Sequence, residues 1–176
     1  MFARHPTATT RTTTLATRST QTLRVLLHNR RTATLGTQPL KAHEAPGLAL
    51  VPYAIDAVGG CLVLLVSGVA AHARQMLAHS EVSLLVAQGE TGAQIGHVHE
   101  RVAITGEART PVPGSGLWGT ARHAYLRRFP DAAGMTQHGD FRIVCILPRQ
   151  ARHISGFGAP RVVDQAELRA LLALPH

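Results

Sequence analysis

The stretch "GLALVPYAIDAVGGCLVLLVS" (Gly47 to Ser67) constrains the fold more than any other part of the chain. Two apolar runs flank "DAVGG", whose Asp and paired Gly suit a tight turn. Such a pair reads as a β-hairpin buried on both faces. Pro52 has no N–H to give a ladder, so it marks an edge or a bulge within that hairpin. A hairpin this apolar needs further strands and helices to cover it.

Those elements are legible on either side. "QTLRVLLHNRR" has Leu23, Leu26 and Leu27 at helical spacing, with Arg30 and Arg31 suited to a helix C-terminus. "TATLGT" (Thr32 to Thr37) and "EVSLLVA" read as strands. "HVHERVAITGEA" alternates, with Val98, Val102 and Ile104 on one face and His97, His99, Arg101, Thr105 and Glu107 on the other. "VAAHARQMLAH" puts Val69, Ala73, Met76 and Leu77 on one helical stripe, and "LWGTARHAYLRRF" is a second helix ended by Pro130. "DFRIVCIL" and "ARHISGFG" read as strands broken at Pro148. "DQAELRALLAL" closes with Asp164 as N-cap and Glu167 three residues on, a capping-box spacing. Strands and helices do not alternate regularly, which argues against a doubly wound parallel sheet. The expectation is a mostly β (α+β) architecture, an antiparallel barrel with peripheral helices.

At 176 residues and 45% hydrophobic, the chain suits one domain with a full core. Its net charge of +8 is placed unevenly. Six of 17 arginines fall in the first 31 residues, and the first acidic residue is Glu44. From Glu44 onward 11 arginines face 10 carboxylates with no basic stripe among aromatics, which argues against specific nucleic-acid binding. Cys61 and Cys145 sit inside apolar runs and read as buried small hydrophobes of a reducing compartment. No apolar run is long enough for a membrane span. Residues 1–20 are Thr/Arg-rich and acid-free, and are expected to be a disordered tail ahead of a domain over 21–176. Such a start fits an early start codon better than an organellar transit peptide, which points to a bacterial cytoplasmic protein.

Chemistry-bearing patterns are few. His97 and His99, two apart on one strand face, could chelate a metal, but no third ligand stands at suitable spacing. Ser115 in "GSG" lacks the strand–turn–helix setting of a nucleophile elbow. No acid–base constellation stands out, so an enzyme of this sequence would need a cofactor to carry the chemistry, and its catalytic residues stay unassigned. The remaining pattern is "LLVSGVAAHAR". There an apolar strand gives way to a helix bearing a hydroxyl (Ser67), an imidazole (His72) and a guanidinium (Arg74). A helix start favours anions, and a phosphate wants this donor set. On spacing alone, a Ser67 helix cap with ordinary polar flanks is the better account.

The order of the segments "LALVPYAID", "CLVLLVSGVAAHARQMLAH", "HERVAITGEART", "AYLRRFPDAA" and "GDFRIVCILPRQARHISGFGAPR" resembles the pyridoxamine 5′-phosphate oxidase-like split-barrel family. The likeness is greatest to its haem-utilisation branch and runs from Gln21 to Ala166. It implies a six-stranded antiparallel split barrel that forms a homodimer, with FMN in a groove at the dimer interface. By the same resemblance Val51, Pro52 and Tyr53 run beside the flavin ring, and Ser67, His72, Arg74 and Gln75 belong to the phosphate segment. Ala73 and Gln75 stand where this branch often has Thr and Asn. The function implied is an FMN-dependent oxidoreductase acting on a small molecule. The alternatives are a haem-binding or haem-degrading protein on the same fold, and a barrel without cofactor that serves as a binding module. Some haem-binding members carry an axial histidine in their C-terminal part, and here His176 is terminal without a supporting element after it.

Overall fold

The computed structural model describes residues 8–89, 99–156 and 159–173, with side chains described from residue 18 onward. Helix α1 spans Ala8–Asn29 and buries Leu23, Leu26 and Leu27. The helix takes in residues 8–20 of the segment whose composition suggested a disordered tail. Ser19 Oγ lies 3.2 Å from His153 Nδ1, and Thr20 Oγ1 donates to Glu167 Oε1 at 3.0 Å. These hydroxyls find buried partners far along the chain, a reason for order that composition cannot carry. At the other end of α1, the Arg128 guanidinium donates to the carbonyls of His28 and Arg30 and so caps the helix from outside.

Strands β1 (Thr32–Thr37), β2 (Gly47–Pro52), β3 (Ala54–Asp56), β4 (Cys61–Ser67), β5 (Glu81–Ala87), β6 (Arg101–Arg109), β7 (Phe141–Ile154) and β8 (Arg161–Val163) form one antiparallel sheet. Its order is β2-β1-β5-β6-β7-β4-β3, with β8 added beside β7. β2 and β3 stand at opposite ends of that order yet are joined through Tyr53 alone. They are two halves of one bent strand, and the sheet curls into a six-staved split barrel. The expected hairpin is thus half right. β3 pairs with β4, Ala54 facing Val63, whereas β2 turns away to pair with β1, Pro52 facing Thr32. Pro52 ends an edge strand, where its missing N–H costs nothing. β2 is not buried on both faces either, because Leu48 and Leu50 are 77% and 74% exposed.

Inside the barrel, Leu35, Val51, Leu62, Leu64, Leu84 and Ile104 meet Leu23 and Leu27 of α1 in one core. Like the first half of β7, β4 is covered on both sides. Its outer face carries Cys61 and Val63, which pack with Cys145, Ala121 and Tyr125 under helix α3 (Gly116–Arg128). Both cysteines are buried free thiols, as their apolar settings implied.

Helix α2 (Ala71–Ala78) and helix α4 (Gln165–Ala173) complete the chain. The capping box of α4 forms, with Glu167 N donating to Asp164 Oδ1 at 2.9 Å. Pro148 does not break β7. The strand runs through it and shifts register against β6, Thr105 facing Gln150 and Gly106 facing Pro148, which leaves Arg149 as the extra residue. A Cβ on Gly106 would lie 2.6 Å from the Leu147 carbonyl oxygen, so only glycine permits this approach.

Candidate functional site

The strand-to-helix segment is built differently from a capped helix. Ser67 is the last residue of β4, paired with Phe141, and half-buried. Gly68 N donates to the Asp140 carbonyl at 2.5 Å and Ala70 N to the Ser67 carbonyl at 3.1 Å, so a turn separates Ser67 from the helix. The N-cap is Ala70, whose side chain makes no capping bond. The Ser67 cap is overturned, because the turn places its hydroxyl too far back along the chain. Ala73 and Met76 are the buried side of α2, whereas Val69 and Leu77 are exposed, Val69 because it lies in the turn ahead of the helix.

Around this turn His72 is half-buried, and that burial lowers its pKa from the ordinary imidazole value. Arg74 is exposed and has no ion-pair partner among the described residues. Gln75 is already engaged: its Oε1 accepts from Thr37 Oγ1 at 2.6 Å, which ties α2 to the barrel. A Cβ on Gly47 would lie 2.5 Å from the same oxygen, so α2 sits hard against the start of β2.

On the bent strand, Val51 faces the core, Pro52 faces out, and Tyr53 is fully buried. Tyr53 Oη donates to the Leu27 carbonyl at 2.6 Å, and burial pushes its phenol pKa upward. Its side chain is therefore spent on the fold. What the segment Val51–Tyr53 can offer a ligand is the outward side of β2, an end strand of the sheet.

That outward side continues across the sheet. Leu50, Thr34, Leu85 and Ala103 lie in one register row, and Leu48, Gly36, Ser83 and Thr105 in the next. These eight positions hold no charge, and Leu48, Leu50 and Leu85 are exposed, while the first row runs on into β7 at the exposed Arg152, which faces Ala103. Charges stand at one border, where Arg149 joins Glu81 and Glu107 at 3.0 and 3.1 Å. The result is an exposed apolar sheet face, whereas α2 packs against the opposite, inward side of β2, where Gly47 and Thr37 meet Gln75.

The structure adds residues that the sequence did not single out. Arg142 of β7 flanks the Ser67–Gly68 turn, its Nε 3.7 Å from where a Gly68 Cβ would be. Its only sequence signal is a polar residue between Phe141 and Ile143, and only the β4–β7 pairing brings it here. A second cluster closes one end of the barrel: His153 Nε2 donates to Glu100 Oε1 at 2.7 Å while Nδ1 faces Ser19. His99 is buried and its ring nitrogens have no partner among the described residues. His97 lies outside the described residues, as do Phe157 and Gly158 of "GFG" and the terminal His176. No group of three or more metal-ligating side chains gathers among the described residues, and no helix among them is long and apolar enough to cross a membrane.

Comparison with known proteins places this geometry among others. No protein-family model matches the chain. A chloroplastic haem oxygenase of Arabidopsis thaliana, HOZ, is 30% identical over 137 residues, which is 76% of this chain and 39% of that protein. Haem oxygenase HutZ of Vibrio cholerae is 26% identical over 136 residues, 77% of this chain and 76% of HutZ. Among solved structures, a haem-binding protein from Mycobacterium smegmatis superposes with a TM-score of 0.75 at 21% identity, over 96% of this chain and 62% of that one. A pyridoxamine 5′-phosphate oxidase-type protein from Listeria innocua follows the same fold with a TM-score of 0.58 at 12% identity, over 78% of this chain and 98% of that one. The chain thus spans well under half of the plant relative's length and under two thirds of the mycobacterial protein's.

Proposed function

We propose that this split-barrel chain, which is similar in sequence to haem oxygenases, binds haem and that haem is its substrate. The observation that carries the reading is the exposed apolar face bearing Leu48 and Leu50, on a chain that also presents Arg74 as an exposed cation without an ion-pair partner among the described residues. Haem asks for this combination: a broad apolar ring at one end and two carboxylates at the other. Arg74 would take a propionate, the Ser67 hydroxyl and His72 would supplement it, and the β2 face would receive the ring. Ring opening would require dioxygen and an external reductant.

A second copy of the chain would cover the same face. Its positions on β2, β1, β5 and β6 are uncharged, and an exposed apolar sheet surface of this kind is uncommon on a monomer. A two-fold contact would place the ligand in a groove between two copies, with small-molecule access along the β2 edge.

FMN is the second reading, favoured by the resemblance of the Ser67–Gln75 segment and by the same free cation. Ser67, His72 and Arg74 fit a phosphate as well as a propionate, while Gln75 is held by Thr37. A bound FMN would supply hydride or electron transfer, and the protein would orient its ring along the β2 backbone.

Titration of the purified full chain with haemin and, separately, with FMN distinguishes the readings. Haem as substrate predicts a saturable Soret band at one haem per chain, lost under air and reductant with release of an open-chain tetrapyrrole detectable by mass. Saturable FMN binding without a haemin response would replace it with the flavin reading, and no response to either would leave a binding module.

A further inference from the structure

On the outer side of the β4–β7 pair a cavity of about 460 Å³ opens, away from the apolar face described above. Leu65 and Ile143, paired across the ladder, form its base. Pro111 and Pro113 line it with backbone fixed by their rings, and Trp118 and Phe141 add aromatic surface.

Its frame is held in place by interactions around the tryptophan. Ser115 Oγ accepts from Trp118 N at 3.3 Å and so starts α3 at the cavity's border. The Arg122 guanidinium lies 5.7 Å from the Trp118 ring centroid and donates to Thr136 Oγ1 at 3.3 Å. Thr136 in turn donates to the Ala133 carbonyl at 2.9 Å. The ring is thereby tied to the short turn Met135–Gln137 across the opening.

Besides the hydroxyls of Thr110 and Thr136, three polar side chains line the same cavity: Gln137, His138 and Arg142. None of them has a side-chain hydrogen bond or ion pair among the described residues, and no carboxylate lines the cavity. Pockets of roughly 300–1,000 Å³ with apolar walls and a few convergent polar groups are the usual form of small-molecule sites. Flat walls favour a flat ring, and an unpaired guanidinium favours a carboxylate over any neutral group.

We propose that this cavity binds a one- or two-ring aromatic carboxylate, its ring against Trp118 and Phe141 and its carboxylate on the Arg142 guanidinium. The cavity borders the Ser67–Gly68 turn through Arg142 and Phe141, and the proposal does not depend on haem binding.

Trp118 is the only tryptophan of the chain, so intrinsic fluorescence reports on this cavity directly. The experiment titrates the full chain with 1-naphthoate and with its neutral isostere 1-naphthamide, following Trp118 emission and heat of binding in parallel. The proposal predicts a saturable Trp118 response to naphthoate and binding of naphthamide weaker by about tenfold, the loss of one charge-assisted contact. Arg142→Gln should bring naphthoate down to the level of naphthamide and leave naphthamide unchanged, which also shows that the variant is folded. A non-saturating response, equal affinity for acid and amide, or an Arg142→Gln variant that binds naphthoate like the parent would each overturn it.

Discussion

Tyr53 Oη donates a 2.6 Å hydrogen bond to the carbonyl of Leu27, which ties the bend of the barrel's closing strand to the last turn of α1. That carbonyl has no partner within the helix, and both groups are buried. Tyr53→Phe would leave it orphaned and should cost about 1–3 kcal/mol. The expected result is a lower midpoint in urea with an unchanged slope, and unchanged haemin affinity. A loss of affinity at equal stability would return Tyr53 to the binding site.

The same residue shows how far the sequence could be read. "VPYAID" signals a strand with a proline irregularity, but whether it pairs with β1 or β4 depends on partners distant along the chain. Local elements whose signals are local came through: β1, α3 and the Asp164–Glu167 cap sit where their patterns put them. The helix stripe at Val69 failed because the turn from Ser67 to Ala70 delays the helix by more than one residue. For the candidate site, Arg74 was visible as a cation near a helix start. Gln75's engagement with Thr37 and the approach of Arg142 to Gly68 were not, since each is a contact across the sheet with no trace in spacing.

His153 is 1% exposed and linked to both Glu100 and Ser19. His153→Ala leaves a partly buried carboxylate unpaired and frees α1 from β7. The expected cost is about 1–3 kcal/mol, the penalty for leaving a buried hydrogen-bonding group without its partner. Deletion of residues 1–20 should destabilise as well, since it removes Ser19 and the Thr20 bond to Glu167. Denaturant unfolding of both variants checks this, and parental stability after the deletion would show that those two bonds contribute nothing net.

Leu85 stands at the middle of the apolar face, between Thr34 and Ala103. If a second copy covers this face, Leu85→Glu places two buried carboxylates near the two-fold axis and should yield monomers. Sedimentation velocity of parent and variant at micromolar concentration decides it. A parent that is already monomeric ends the proposal of an interfacial groove.

His72 gives the site a pH dependence whose sign follows from burial. Its folded pKa lies below the unfolded value of about 6.5, so the unfolded chain binds the extra proton more readily. Its contribution to stability is complete above that value and is lost as pH falls through the folded pKa. His72→Asn should therefore flatten the decline of melting temperature on the acidic side of 6.5. An anion bound beside the ring favours the protonated form, so haemin or phosphate should bind more tightly as pH falls from 8 to 6 in the parent and not in His72→Asn. Parallel pH profiles for the two would separate His72 from the site.

Arg74 carries the largest single stake in the binding reading. It is exposed, unpaired among the described residues, and borne by a helix that Gln75 and Gly47 fix at the start of β2. A charge-assisted contact from such a position, discounted for its exposure to water, is worth about 1–2 kcal/mol. Arg74→Ala should thus weaken haemin or FMN by roughly tenfold, and Arg74→Lys should recover part of that by keeping the charge without the planar fork. Stability of the free protein should stay within about 0.5 kcal/mol, since no buried group loses a partner. Raising the salt concentration should shrink the gap between parent and Arg74→Ala, because an exposed ionic contact is screened. If the gap persists unchanged in high salt, the loss comes from packing of the Arg74 stem against the ligand ring and not from its charge, and the carboxylate or phosphate must be held elsewhere.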